Sequence, residues 1–246
     1  GSGQAAALFA VLIPTIGFGV IGFLDDWLKV KRRNNLGLRP WQKLALQTAV
    51  TVIFALWLHF VSGISFSEMW LPFSKNGPLS LGLFSFPALL FIALATTNAT
   101  NLTDGVDGLC ASVTAVIAGF FALAAMLLGN LIGNPIGSPA AAAMTGALLG
   151  YLFYNLYPAK VFMGDTGSLF LGGLVCGLAF ALDIPLILIL VGIIYICETM
   201  SDIIQVTYFK LSIMGGFLLF TPRVVSVSCG LGLLPIQNPV QFIRAP

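Results

Sequence analysis

The feature that most constrains this chain is a succession of apolar segments, each long enough to cross most or all of a lipid bilayer. Ala5–Leu24, Leu44–Val61, Leu81–Thr97, Leu109–Leu128, Ala140–Tyr157, Leu169–Leu182 and Leu186–Tyr208 follow one another with short polar breaks. As helices rising about 1.5 Å per residue, such segments suit a hydrocarbon core of about 30 Å. Backbone groups in lipid must be satisfied internally, which a helix does within one segment. The expected fold is an all-α polytopic membrane protein: one bundle over residues 1–246, with about seven to eight transmembrane helices and an unassigned tail over 212–246. Composition agrees. Hydrophobic residues make up 58% of the chain and charged residues 8%, against roughly 25% charged in a soluble domain.

Six of the eleven basic residues, Lys29, Lys31, Arg32, Arg33, Arg39 and Lys43, crowd between the first two segments. A short loop this basic stays in the cytoplasm and orients every later segment. Residues 98–108 and 158–167 are then cytoplasmic, while Ser62–Ser80 makes a short outer hairpin connection. Of the nine acids, Asp25, Asp26, Asp104, Asp107, Asp165, Glu198 and Asp202 fall toward the cytoplasm, and only Glu68 and Asp183 fall outside. Topology does not require this, because Asp and Glu contribute little to orientation. Carboxylates gathered at one membrane face suit a divalent cation. The plain alternative is acids capping helix ends in water. A transporter would string its acids across several depths, whereas these segment centres are nearly free of them.

Three stretches concentrate the chemistry. In Asn98–Gly108, Asp104 and Asp107 stand three apart and would share a face of a helical turn. Asp25 and Asp26 close the first segment. Adjacent residues point in different directions on a helix, so at most one is expected to face a given ligand, as a general base or a metal ligand. In Asn155–Ser168, Pro158 breaks a helix and Gly164 and Gly167 allow close backbone approach. Asp165 is expected just ahead of a helix starting near Ser168, whose N–H groups would welcome phosphate. A bridging Mg²⁺ would reconcile that acid with a phosphate. The four cysteines lie singly and support neither a disulfide framework nor a zinc site, so they read as small buried hydrophobes. Together these features suggest phosphoryl chemistry on a membrane-embedded acceptor.

Gly22-Phe-Leu-Asp-Asp-Trp-Leu-Lys-Val30, Asn101-Leu-Thr-Asp-Gly-Val-Asp-Gly-Leu109, Asn155-Leu-Tyr-Pro-Ala-Lys-Val-Phe-Met-Gly-Asp-Thr-Gly-Ser168 and Gln205-Val-Thr-Tyr-Phe-Lys-Leu211 resemble motifs of the polyprenyl-phosphate N-acetylhexosamine-1-phosphate transferases. The Tyr208-Phe-Lys-Leu ending looks most like the branch that moves phospho-MurNAc-pentapeptide from UDP-MurNAc-pentapeptide to undecaprenyl phosphate, giving lipid I and UMP. The resemblance implies a ten-helix fold in the bacterial inner membrane, a cytoplasmic active site, Mg²⁺ dependence and often a homodimer. It implies Asp165 as the Mg²⁺ ligand and Asp25, with Asp26 beside it, as the base for the lipid phosphate. Asn101, Asp104 and Asp107 would line the nucleotide site, Phe162 would stack on uracil, and Asn155 would line the cleft. Lys29 and Lys43 would meet phosphate or nucleotide.

The same resemblance implies two spans ahead of Ala5 and a histidine-bearing loop after Leu211. The chain has neither, reading Ser212-Ile-Met-Gly-Gly-Phe-Leu-Leu-Phe220 after Leu211, and it carries Asp202 where the family has an apolar residue. An incomplete or rearranged member is therefore expected. A GlcNAc-1-phosphate transferase acting on the same lipid fits the residues equally well, and a non-catalytic fragment is a third reading.

Overall fold

The first apolar segment forms one long helix, α1 (Ser2–Arg32), in a computed structural model that describes residues 2–33, 37–62, 66–70, 77–132 and 137–214. It outruns its expected end at Leu24. Lys29 lies one turn beyond Asp25 and Asp26 and pairs with both, while Lys29, Lys31 and Arg32 complement the negative end of the helix dipole. The two acids therefore sit on a helix, where their directions are fixed. Helix α2 (Pro40–Trp57) also starts early. Pro40 presets the first helical φ, and the Arg39 N–H donates to Gln42 Oε1 at 3.0 Å. Lys43 thus becomes helical as well.

A π turn, Leu58–Ser62, extends α2 toward the expected outer hairpin. There β1 (Glu68–Met69) pairs antiparallel with β2 (Leu79–Ser80), Glu68 opposite Ser80 and Met69 opposite Leu79. Helix α3 (Ser85–Thr103) runs back and stays helical through its polar end. Thr97, Thr100 and Thr103 turn their hydroxyls onto the carbonyls of Ala93, Thr96 and Ala99, at 2.6, 2.8 and 2.8 Å, so none is left unpaired in the apolar layer. Helices α4 (Leu109–Ile132), α5 (Gly137–Asn155) and α6 (Gly164–Ala181) follow. The last apolar segment is not straight. It divides into α7 (Leu188–Val191) and α8 (Ile193–Met214), bent by 70° where Gly192 interrupts the helix.

Five described helices are long and apolar enough to cross a membrane, and six if the bent pair is one span. The 19-residue α5, at the place of the fifth expected segment, is not among them. Residues 215–246 lie outside the described residues. Helix α6 is the hub, buried from Leu171 through Phe180 and contacted by α1, α3 and α4. Apolar clusters flank it, Ile117, Phe121, Leu174 and Leu178 in one, Phe18, Phe54, Leu58 and Phe180 in another. Glycines set its spacing. Gly173 and Gly177 lie against the backbone of Pro14 and Val11 on α1, and Gly172 against that of Thr97 on α3. Exposed Ile16, Val20, Phe23, Val116, Leu123, Met126 and Phe153 give the bundle an apolar exterior suited to lipid. Cys110 and Cys176 are buried and unbridged, as expected of small hydrophobes. Cys197, on α8, is exposed instead, and Cys229 lies outside the described residues.

Candidate functional site

Four helix ends meet at the end of the bundle opposite the hairpin: the last turns of α1 and α3 and the first turns of α2 and α6. The Lys29 Nζ sits among three carboxylates, 2.6 Å from Asp25 Oδ2, 3.4 Å from Asp26 Oδ1 and 2.9 Å from Asp165 Oδ2. Lys43 approaches the same Asp165 oxygen at 3.3 Å and donates to Asn101 Oδ1 at 3.1 Å. Asn101 Nδ2 in turn donates to Asp165 Oδ1 and to Ser168 Oγ, both at 2.8 Å. Asp165 is thereby held on both oxygens by three helices other than its own.

The two adjacent acids of α1 do point in different directions, yet both reach Lys29. Each is anchored by its other oxygen. The Leu38 N–H donates to Asp25 Oδ1 at 2.6 Å, and Asp25 is buried. The Thr166 N–H and hydroxyl donate to Asp26 Oδ2 at 2.8 and 2.7 Å. Helix α6 begins at Gly164, not near Ser168, so Asp165 lies inside its first turn. Asp26 therefore occupies the place at the α6 N-terminus where the sequence suggested a phosphate, and acts as that helix's anionic cap. Gly22 makes this possible. A methyl group there would collide with the Asp165 carbonyl oxygen.

Asp104 and Asp107 do not share a helical face, because 104–108 is a turn between α3 and α4. Gly108 adopts φ 76°, a left-handed conformation that glycine tolerates and that diverts the chain into α4. Asp107 turns to the loop after α5 and accepts the Ala159 N–H at 3.0 Å. Asn155, also buried, ties the same two loops by accepting from Gly108 N at 3.1 Å and donating to Val161 O at 2.9 Å. Asp104 lies close enough to the cluster to feel the charges of Asp165 and Asp26. Its burial, followed by the charges of Asp165 and Asp26, pushes its carboxyl up to about 7. Phe162, in the loop after α5, is 73% exposed and leaves an aromatic side chain available to a ligand.

The three inward carboxylate oxygens lie within 4.8 Å of one another and converge on one cation, the Lys29 ammonium. This all-oxygen donor set fits a hard divalent ion, provided Lys29 yields its place. Sequence reasoning found the three acids but missed Thr166, which holds Asp26, and Ser168, which holds Asn101 against Asp165. It also passed over an amide pair one turn deeper, the buried Gln47 and the half-buried Asn98. A polar residue in an apolar helix, four residues after Lys43 and three before Asn101 respectively, was the available signal. Glu198 and Asp202, on α8, take no part in any ion pair among the described residues. The grouped acids lie at one end, so the several depths of a transport path are not seen.

Comparison with known proteins adds a family. Residues 8–183 match the model of glycosyl transferase family 4. The phospho-N-acetylmuramoyl-pentapeptide-transferase of Clostridium botulinum (strain Eklund 17B / Type B) is 48% identical over 200 residues, covering 81% of this chain and 59% of that protein. Proteins of the same name from Clostridium perfringens (strain SM101 / Type A) and Carboxydothermus hydrogenoformans are 45% and 46% identical, covering 82% and 84% of the chain and 60% and 64% of theirs. The chain spans about three fifths of the length of the relatives it matches.

Proposed function

The chain belongs to glycosyl transferase family 4, and on that premise we propose that it moves phospho-MurNAc-pentapeptide from UDP-MurNAc-pentapeptide to undecaprenyl phosphate, releasing UMP and forming lipid I. The work would be done at the inner face of a bacterial plasma membrane, where the basic loop keeps this end of the bundle. The observation that carries the reading is the meeting of Asp25, Asp26 and Asp165 on Lys29, with Lys43 alongside. The shared name of relatives at 45–48% identity supports the choice of sugar.

In this reading Asp165 would hold Mg²⁺, with Asp25 and Asp26 beside it. The metal would offset the charge of the diphosphate and stabilise the leaving UMP. Lys29 and Lys43 exchange their carboxylate partners for substrate phosphate oxygens, keeping the local charge near balance as the anions enter. Asp25 takes the proton of the lipid phosphate on Oδ2 while Leu38 N–H holds Oδ1 and fixes the carboxylate plane. Asp26 keeps α6, and with it Asp165, at its height against α1. Asp107 and Asn155 brace the loop that presents Phe162 to the uracil, and Asp104 faces the nucleotide.

The protein reconstituted in vesicles with undecaprenyl phosphate and Mg²⁺ is offered UDP-MurNAc-pentapeptide and UDP-GlcNAc in turn. The expected result is a lipid-linked MurNAc product with UMP release. A product from UDP-GlcNAc alone would move the chain to the sister branch, and none from either would overturn the reading.

A further inference from the structure

Gln47 on α2 and Asn98 on α3 form a reciprocal amide pair. Gln47 Nε2 donates to Asn98 Oδ1 at 3.2 Å, and Asn98 Nδ2 donates back to Gln47 Oε1 at 3.0 Å and to its own helix at Leu94 O at 2.8 Å. Gln47 is 1% exposed. Pairing two amides in both directions fixes rotation and height together, because a slip or turn of either helix breaks both bonds.

The pair lies where α2 otherwise has little grip. From Pro40 to Leu46 no residue of α2 is buried, and Gln47 is the first that is. One turn nearer the helix start is Lys43, whose ammonium reaches Asn101 and Asp165; one turn on from Asn98 is Asn101 itself. Two rungs thus join the helices: Lys43–Asn101 at the site, and the part-buried Gln47–Asn98 beneath it. We infer that the Gln47–Asn98 pair is a positioning device for Lys43, setting α2 against α3 so that the ammonium meets Asp165. Its catalytic consequence rests on the function proposed above; the placement of Lys43 does not.

The test replaces both amides by apolar side chains of similar shape, Gln47→Met with Asn98→Leu, so that no buried amide is left unpaired. The first readout is the acylation rate of each lysine in the folded protein, followed by peptide mass spectrometry. Lys43 should react about five-fold faster once its helix is freed, the equivalent of one ordinary hydrogen bond, while Lys29 keeps its rate. An unchanged Lys43, or a parallel rise at Lys29 reporting general loosening, overturns the inference. Exchanging the partners, Gln47→Asn with Asn98→Gln, rebuilds the pair at the same total length and should restore the slow rate; failure to restore it also overturns the inference. Where transfer is measured, the apolar pair should cost activity in the parent and nothing further in a Lys43→Met background, and additive losses count against positioning. A parent that transfers nothing strikes the proposed function, and the acylation rates still decide the clamp.

Discussion

Lys29 and Asp165 stand 136 residues apart in the chain and meet at 2.9 Å. Through that one contact the end of α1 and the start of α6 share a charge. The ammonium occupies the point on which three carboxylate oxygens converge, so it competes with any divalent ion for the same donors. Lys29→Met should therefore tighten binding of Mn²⁺, read by the loss of its free EPR signal, while abolishing transfer. Weaker Mn²⁺ binding would show that the ammonium helps to build the ion site.

Asp26 caps α6 with one oxygen, accepting both Thr166 donors. Asp26→Ala removes the cap and should lower stability by about 1 kcal/mol, whereas Asp26→Asn retains an acceptor and should lose less. Chemical denaturation in detergent separates them. Equal losses would mean that charge, not capping, is what α6 needs.

Gly22 lets α1 touch the backbone of Asp165 and Thr166. Gly22→Ala adds one methyl group against main chain that has no rotamer to escape through, so α6 has to move. Transfer should fall at least about tenfold, with a destabilisation of about 1–3 kcal/mol. The checks are turnover and thermal unfolding. Full activity with native stability would show the helix seam to be softer than its geometry suggests.

Asp104 is pushed up to about 7, from an ordinary carboxyl near 4, chiefly by burial. Between those values the folded protein holds a proton that the unfolded chain has released. Stability should therefore fall as pH rises from about 4 to about 7. Asp104→Asn holds no titrating proton and should flatten that part of the profile. Thermal midpoints of the two proteins across the window decide it, and parallel curves would remove Asp104 as the cause.

Phe162 is 73% exposed at the edge of the site. Phe162→Ala should weaken binding of a uridine nucleotide by about tenfold, the scale of one base–aromatic stack. Calorimetry with UMP measures it, and an unchanged affinity would withdraw the stacking role.

The sequence made the bundle and the acids legible because both signals are local. A run of apolar residues declares its length, and Asp25, Asp26, Asp104 and Asp165 stand out among so few charges. What it hid was relational. The apolar period ends at Leu24 and Thr97, but Lys29 under Asp25 and the threonines of α3 carry both helices onward into the site. The spacing of Asp104 and Asp107 implied a shared face only for a helix, and Gly108 made that stretch a turn. Thr166 gave no sign of serving Asp26, because a capping partner 140 residues away leaves no pattern in the chain.

The glycine contacts between α1 and α6 bear on how such a protein tolerates change. Where two helices touch main chain to main chain, the gap between Asp25 and Asp165 is dictated by peptide geometry and not by the bulk of neighbouring side chains. Ile16, Val20 and Phe23, on the outward side of α1, are then free to vary with whatever lipids surround them. The lipid-facing exterior can drift while the reactive spacing stays fixed.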